Sequence, residues 1–264
     1  MTLECKTKYP IFFVHGTGSR DRKKSSCWGR IPKALEEQGA KVYFGGQDAL
    51  GSIEENAKAI KDSINACLPD NEKVNIIALS KGGLEARYMI HKLGMEDRVA
   101  SLTTVSTPHY GSKSMDVLCK FLKHPLKLIA FFVNIVYRLQ GDVKPNFNCV
   151  CCQLTTSALL CFNEEVLDSK QVYYQSYASV MKKSYSDMLL FVPHLFVKFF
   201  EGECDGIVSV DSAKWGEFKG VITGDGIRGM SHADLRDIRK RDGVGTDIRR
   251  VYVDIVKDLK ARGF

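Results

Sequence analysis

Hydrophobic positions in this chain come in two rhythms. Short, dense apolar runs occur at Ile11–Val14, Val42–Phe44, Val74–Leu79 and Val99–Val105, each rich in β-branched or aromatic residues and each closed by glycine or a turn residue. Runs of this length and composition predict buried strands. Between them the apolar spacing lengthens to three and four. Ile53, Ala57, Ile60, Ile64 and Cys67 share one face of a predicted helix that opens on the capping box Ser52-Ile-Glu-Glu55 and stops at Pro69. Leu84–Leu93 predicts another helix, with Gly94 positioned to end it. Strand–helix–strand–helix–strand alternation implies an α/β class fold on a mostly parallel sheet, whose chemistry gathers at the strands' C-terminal ends.

The second half adds predicted strands at Gln171–Ala178 and Phe218–Thr223, a short β-branched run after Asp205, and a last helix from about Thr246. That helix carries a stripe of Ile248, Val251, Tyr252, Ile255, Val256 and Leu259. Two stretches break the alternation. Leu118–Leu139 is very apolar but interrupted by Lys123, His124, Pro125, Lys127 and Asn134, and Leu189–Phe200 is similar. Both are too interrupted or too short to span a bilayer. They read either as core-packing helices or as a cap over a site, able to move and meet lipid. No repeat or linker divides residues 1–264, so one domain is expected, with cap insertions at about 112–170 and 181–200.

The chemistry starts at Ser80. Val74–Leu79 followed by Ser80-Lys81-Gly82-Gly83 and a helix places a serine on a sharp strand-to-helix turn, the arrangement of a nucleophile elbow, with Ala78 in place of its first glycine. The plainer alternative is a serine that merely caps a helix. After the first strand comes His15-Gly16-Thr17-Gly18-Ser19, which fits neither a P-loop nor a dinucleotide fingerprint. It suits an oxyanion loop, with the amides of Thr17 and Lys81 as donors and His15 bracing the turn. A serine needs a base, and the base an orienting acid. Among the six histidines only His232 is both late and on a loop after the last strand. Asp205 is the preferred acid, with Asp187, Asp211 and Asp225 as rivals. The order Ser80, Asp205, His232 follows.

FFVHGTGS, VNIIALSKGG-LEARY, SLTTVSTPHYGS, QLTTSALLCFNEEV, ECDGIVS and SHADL, met in this order, resemble the bacterial triacylglycerol lipase family of the α/β-hydrolase superfamily. The resemblance implies the α/β-hydrolase fold, acyl-ester hydrolysis, a mobile lid, and a triad at the same three positions. Lys81 stands where many relatives carry Gln, His or Met, and its charge is a possible attraction for anionic substrates. Some relatives bind a structural calcium through an Asp two residues after the catalytic His; Asp234 holds that place, with Asp187 as its one partner. Otherwise no cofactor is expected. The expected activity is a lipase on medium or long acyl chains. A short-chain esterase or polyester hydrolase, or a silent lipid-binding protein, are alternatives, and an acyltransferase or thioesterase would use the same triad.

Composition modifies this reading only slightly. The net charge of +7 is concentrated late, at Arg236, Arg239, Lys240, Arg241, Arg249 and Arg250, and reads as a solvated helix face before it reads as an anionic-lipid contact. Nucleic acid is not expected as a partner, since no binding motif accompanies the charge; oligomeric state is open. Nine cysteines and an N-terminus without a signal-length apolar run suggest a reducing, cytoplasmic setting, with secretion after signal removal as the alternative. Cys149-x-Cys151-Cys152 is half of a zinc pattern without its other half.

Overall fold

Alternation within the buried strands determines what packs on each side of the sheet. The computed structural model describes residues 3–21, 27–224, 226–239 and 247–264. In chain order its elements are β1 (Ile11–Val14), α1 (Ile31–Glu36), β2 (Val42–Phe44), α2 (Ile53–Cys67), β3 (Val74–Leu79), α3 (Lys81–Lys92), β4 (Val99–Val105), α4 (Lys113–Phe121), α5 (Lys123–Leu139), α6 (Phe147–Gln153), α7 (Thr156–Glu165), β5 (Tyr173–Ser179), α8 (Phe191–Glu201), α9 (Val210–Ala213), β6 (Glu217–Ile222) and α10 (Ile248–Ala261). Among the described residues the strands form one sheet in the order β2-β1-β3-β4-β5-β6, and every pairing is parallel. Ile11, Phe13, Ile77 and Leu79 face one core with Trp28, Leu35, Tyr252 and Val256, under α1 and α10. Phe12, Val14, Ile76 and Ala78 face the other with Ile60, Ile64, Met89 and Ile90, under α2 and α3. Side chains two apart share a face, so a strand buried on both sides must be almost wholly apolar, as β1 and β3 are. The one polar residue of β3, Asn75, accepts from Ser101 Oγ (2.8 Å) and donates to the Tyr9 carbonyl (3.2 Å).

The expected strands and helices are found near their expected bounds. Ser52 Oγ accepts the Glu55 amide at 3.2 Å, the serine half of the expected capping box, while the Glu55 carboxylate accepts from Lys144 Nζ at 3.1 Å. Three features carry information. The short β-branched run after Asp205 forms no ladder: its backbone makes one isolated bridge, Cys204 to Ser209, and then coils into α9. The turn at Asp205 consumes the hydrogen bonds that a ladder would need. α3 begins at Lys81, immediately after Ser80, rather than at Leu84. The last helix is described from Ile248, capped by Asp247, while Thr246 lies outside the described residues.

Four helices, α4 to α7, fill the connection between β4 and β5, and α8 sits between β5 and Asp205. Core packing does not account for α5. Leu126 and Ala130 are buried, but Leu128, Phe131, Phe132 and Leu139 stand out with 59 to 83% of their surface exposed. On α8, Val192, Leu195 and Phe199 are likewise exposed. Apolar surface of this extent marks a site of interaction. No helix among the described residues is long and apolar enough to cross a membrane.

Candidate active site

β3 ends at the centre of the sheet, and the chain must turn at once into α3. Ser80 makes that turn with φ 55° and ψ −134°, a conformation that a non-glycine residue adopts only under constraint. The constraint is visible. Its amide donates to the Val105 carbonyl (3.0 Å), and its carbonyl accepts from Thr107 Oγ1 (2.7 Å) and the Gly83 amide (3.0 Å). Its side chain makes no capping bond, so the plainer reading of a helix-capping serine fails. The neighbouring glycines are needed for space. A Cβ on Gly82 would stand 2.5 Å from the His15 carbonyl, and one on Gly16 would stand 2.6 Å from Ser80 Cβ. The β1 loop and the serine turn are therefore in direct contact.

That loop is braced as expected. His15 reaches the Gly16 carbonyl from Nδ1 (3.0 Å) and the Gln47 carbonyl from Nε2 (3.2 Å). Thr17 follows at the rim, its Oγ1 buried without a hydrogen-bond partner among the described residues. Above it Tyr137 of α5 donates to the Gly18 carbonyl at 3.5 Å, so the exposed apolar helix overhangs the loop.

Lys81 does not offer its charge to a substrate, contrary to the expectation for a cation beside Ser80. It is 1% exposed and folds back along α3. Its Nζ donates to the Gly51 carbonyl (2.9 Å) and to Glu85, one helical turn on and equally buried. Glu85 also accepts from Asn56 (2.8 Å) and Gln47 (3.3 Å), and the same Gln47 amide donates to the His15 carbonyl (3.1 Å). A buried cation needs these partners. The outcome is a polar brace joining the first turn of α3 to the β1 loop.

Asp205 and His232 lie 27 residues apart and are brought together, with His232 Nδ1 2.7 Å from Asp205 Oδ2. Asp205 is wholly buried, and its other oxygen accepts the amides of Ile207 (3.0 Å) and Val208 (2.9 Å). Burial alone would raise its pKa; the His232 charge and hydrogen bond, with those two amides, more than offset it and hold the carboxyl below its usual value. A depressed carboxyl contributes stability that is present above about pH 4 and lost as pH falls through the folded value. Asp205→Asn is therefore expected to flatten the acid limb of melting temperature against pH, and a limb as steep as the parent's would refute that assignment of charge.

Ser179, at the end of β5, completes the edge: its Oγ donates to Asp205 Oδ2 (3.1 Å) and lies 3.0 Å from Ser106 Oγ at the end of β4. Ser80, Ser106, Ser179 and Asp205 thus follow one another along the C-terminal edge of β3, β4 and β5. Ser80 Oγ and His232 Nε2 have no hydrogen-bond partner among the described residues.

The rivals are placed elsewhere. Asp211 is exposed and pairs with Lys214 (2.7 Å). Asp187 accepts from Arg239 through both oxygens, and Asp225 lies outside the described residues. His109 is buried against Trp215, its pKa driven well below the usual value by burial and by Arg87. With Arg239 between Asp187 and Asp234, these residues do not fit a calcium ion. The late arginines are also not simply solvated: Arg236 donates to Ser19 on the β1 loop, and Arg249 pairs with Asp247 at 2.8 Å, while Lys240 and Arg241 lie outside the described residues. All nine cysteines are free thiols. No group of three or more His, Cys, Asp or Glu among the described residues is placed to hold a metal, Cys149, Cys151 and Cys152 included.

Known proteins agree with this architecture. Triacylglycerol lipase 2 of Saccharomyces cerevisiae is 29% identical over 262 residues, covering 90% of this chain and 74% of that one. A triacylglycerol lipase of Pseudarthrobacter phenanthrenivorans is 35% identical over 142 residues, 49% of this chain but only 44% of its own length. The Staphylococcus hyicus lipase superposes with a TM-score of 0.75 at 15% identity, covering 97% of this chain and 98% of that one, a likeness of fold. Sheet, serine turn and relatives together define a carboxylic ester hydrolase of the α/β-hydrolase superfamily. Within that class the chain belongs to the palmitoyl protein thioesterase family, which residues 10–188 match.

Proposed function

We propose that the protein hydrolyses esters of medium or long acyl chains through an acyl-enzyme on Ser80. The observation that carries this is the buried Asp205 bonded to His232 Nδ1 at the same sheet edge as a serine held at φ 55°. The carboxylate fixes the tautomer that leaves Nε2 basic and stabilises the imidazolium once formed. Ser80 Oγ attacks the acyl carbonyl as His232 Nε2 takes its proton, and the Thr17 and Lys81 amides receive the charge that develops on the carbonyl oxygen. The tetrahedral intermediate expels the alcohol, which leaves with the proton from His232. Water then repeats the sequence on the acyl-enzyme, His232 taking its proton and returning it to Ser80, and the acid departs.

Acyl length is argued from α5 and α8, whose exposed apolar side chains suit a cap that meets lipid. Turnover is expected to rise sharply once the ester passes its solubility limit, and a flat profile would remove the cap from the mechanism. The matched family favours a second reading, a thioester of a long acyl group. The same residues would serve it, with a thiol as the leaving group. Hydrolysis of the thioester, with the oxoester of the same chain left intact, would select it.

The test of the common step is labelling of the purified protein with a fluorophosphonate followed by peptide mapping. Modification is expected on the peptide containing Ser80. An unlabelled protein, or label on another serine, would overturn the assignment.

A further inference from the structure

His232 sits on a loop, and the loop is attached to the body of the protein by charge. Ser231 Oγ lies 2.9 Å from Asp187 Oδ2 and 2.8 Å from Asp234 Oδ2, one hydroxyl proton between two carboxylates. Asp187, near the start of α8, is 3% exposed. Two carboxylates this close repel unless a cation joins them. Arg239 supplies it: Nη2 donates to Asp187 Oδ1 at 3.1 Å, Nη1 donates to Oδ2, and Nη1 lies 3.7 Å from Asp234 Oδ1. A two-pronged arginine–carboxylate contact is directional as well as strong. Burial alone would raise the Asp187 pKa; the bonds from Arg239 and Ser231 more than offset it and hold the carboxyl low. The clamp closes over the residues either side of His232, whose own amide donates to the Asp205 carbonyl at 2.9 Å.

We propose that Arg239 is a positioning residue for His232, its guanidinium doing for Asp187 and Asp234 what a divalent cation does for paired carboxylates elsewhere. Two carboxylates and a hydroxyl are the hard oxygen donors that calcium takes. Arg239 keeps that latent site closed, and loss of the guanidinium opens it. The positioning role rests on the reading of His232 as the catalytic base; the clamp itself does not.

Full-length wild type, Arg239→Ala and Arg239→Ala/Asp187→Asn are melted and assayed in EDTA and in millimolar calcium. The wild type is expected to be indifferent to calcium. Arg239→Ala should melt on the order of 5 °C lower in EDTA, with kcat down about tenfold or more and KM little changed. Calcium should restore most of both losses, and do nothing for the double variant. Should the alanine variant fail to fold, Arg239→Gln, which keeps the first part of the stem and an amide donor but neither the reach nor the charge, carries the same test. A wild type that melts lower in EDTA, an Arg239→Ala variant blind to calcium, or equal rescue of the double variant would each overturn the proposal. A wild type silent towards esters and fluorophosphonate would remove the function proposed for His232, while the melting curves still decide the clamp.

Discussion

Ser80→Ala is expected to lower kcat for ester hydrolysis by about 10⁴-fold or more with little change in melting temperature. The first half follows from the proposed mechanism, in which no acyl-enzyme forms without the Oγ, and the Asp205–His232 pair and the amides of Thr17 and Lys81 have no nucleophile to serve. The second half follows from the turn, because the bonds that hold it belong to the backbone of residue 80 and survive the change. Glycine separates the two effects more sharply. A side chain at φ 55° and ψ −134° is strained by about 1–3 kcal/mol, and glycine is not. Ser80→Gly should therefore be as inactive as the alanine variant yet melt higher than the parent. Activity retained in either variant would end the assignment of the nucleophile. A glycine variant less stable than the parent would mean that the turn stores no strain.

The sequence was most informative where one residue has to satisfy a local rule. Val74–Leu79 is apolar at every position but Asn75 because β3 is covered on both faces, and Gly82 and Gly16 are glycine because neighbouring chain passes within contact distance. Such constraints are written in consecutive residues and can be read without a fold. The pairing of His232 with Asp205 is legible from order, since His232 is the one late histidine on a loop after the last strand and Asp205 stands at a glycine turn between it and Ser80. The rest of the site depends on pairings between distant segments. Ser179 closes the link from Ser106 to Asp205, and Thr107 holds the Ser80 carbonyl, but small hydroxyl residues at strand ends carry no signal of their partners. Lys81 misleads for the same reason. Position beside Ser80 suggests a charge facing substrate, whereas the side chain is spent on Glu85, whose spacing of four along α3 is the one available hint. Arg239 and Arg236 looked like part of a basic helix face until Asp187 and Ser19, each far away in sequence, were brought to them.

Glu85→Gln should destabilise the protein by about 3–5 kcal/mol, the range for leaving one member of a buried ion pair uncompensated. In a chain of this length that lowers melting by roughly 10 °C. Lys81 cannot escape to water: it is 1% exposed, and its remaining acceptors, the Gly51 carbonyl and the neutral amide oxygen of the glutamine, carry no charge to balance its own. Removing both charges should reverse most of the loss. In Lys81→Met/Glu85→Leu the volume is kept, while Asn56 retains the Asp48 carbonyl (2.8 Å) and Gln47 retains the His15 carbonyl (3.1 Å). Stability and turnover should then part company. The brace ties the helix turn bearing the Lys81 amide to the loop bearing the Thr17 amide, and an oxyanion is stabilised only by donors already aimed at it. The double variant is expected to melt near the parent but turn over about tenfold more slowly, since displacement of reacting groups by even a fraction of an ångström is felt in kcat. Chemical denaturation with parallel kinetics measures both. A single variant as stable as the parent would show that the pair is not buried in solution. A double variant with full kcat would confine Glu85 to stability and leave the two amides to be aligned by the backbone alone.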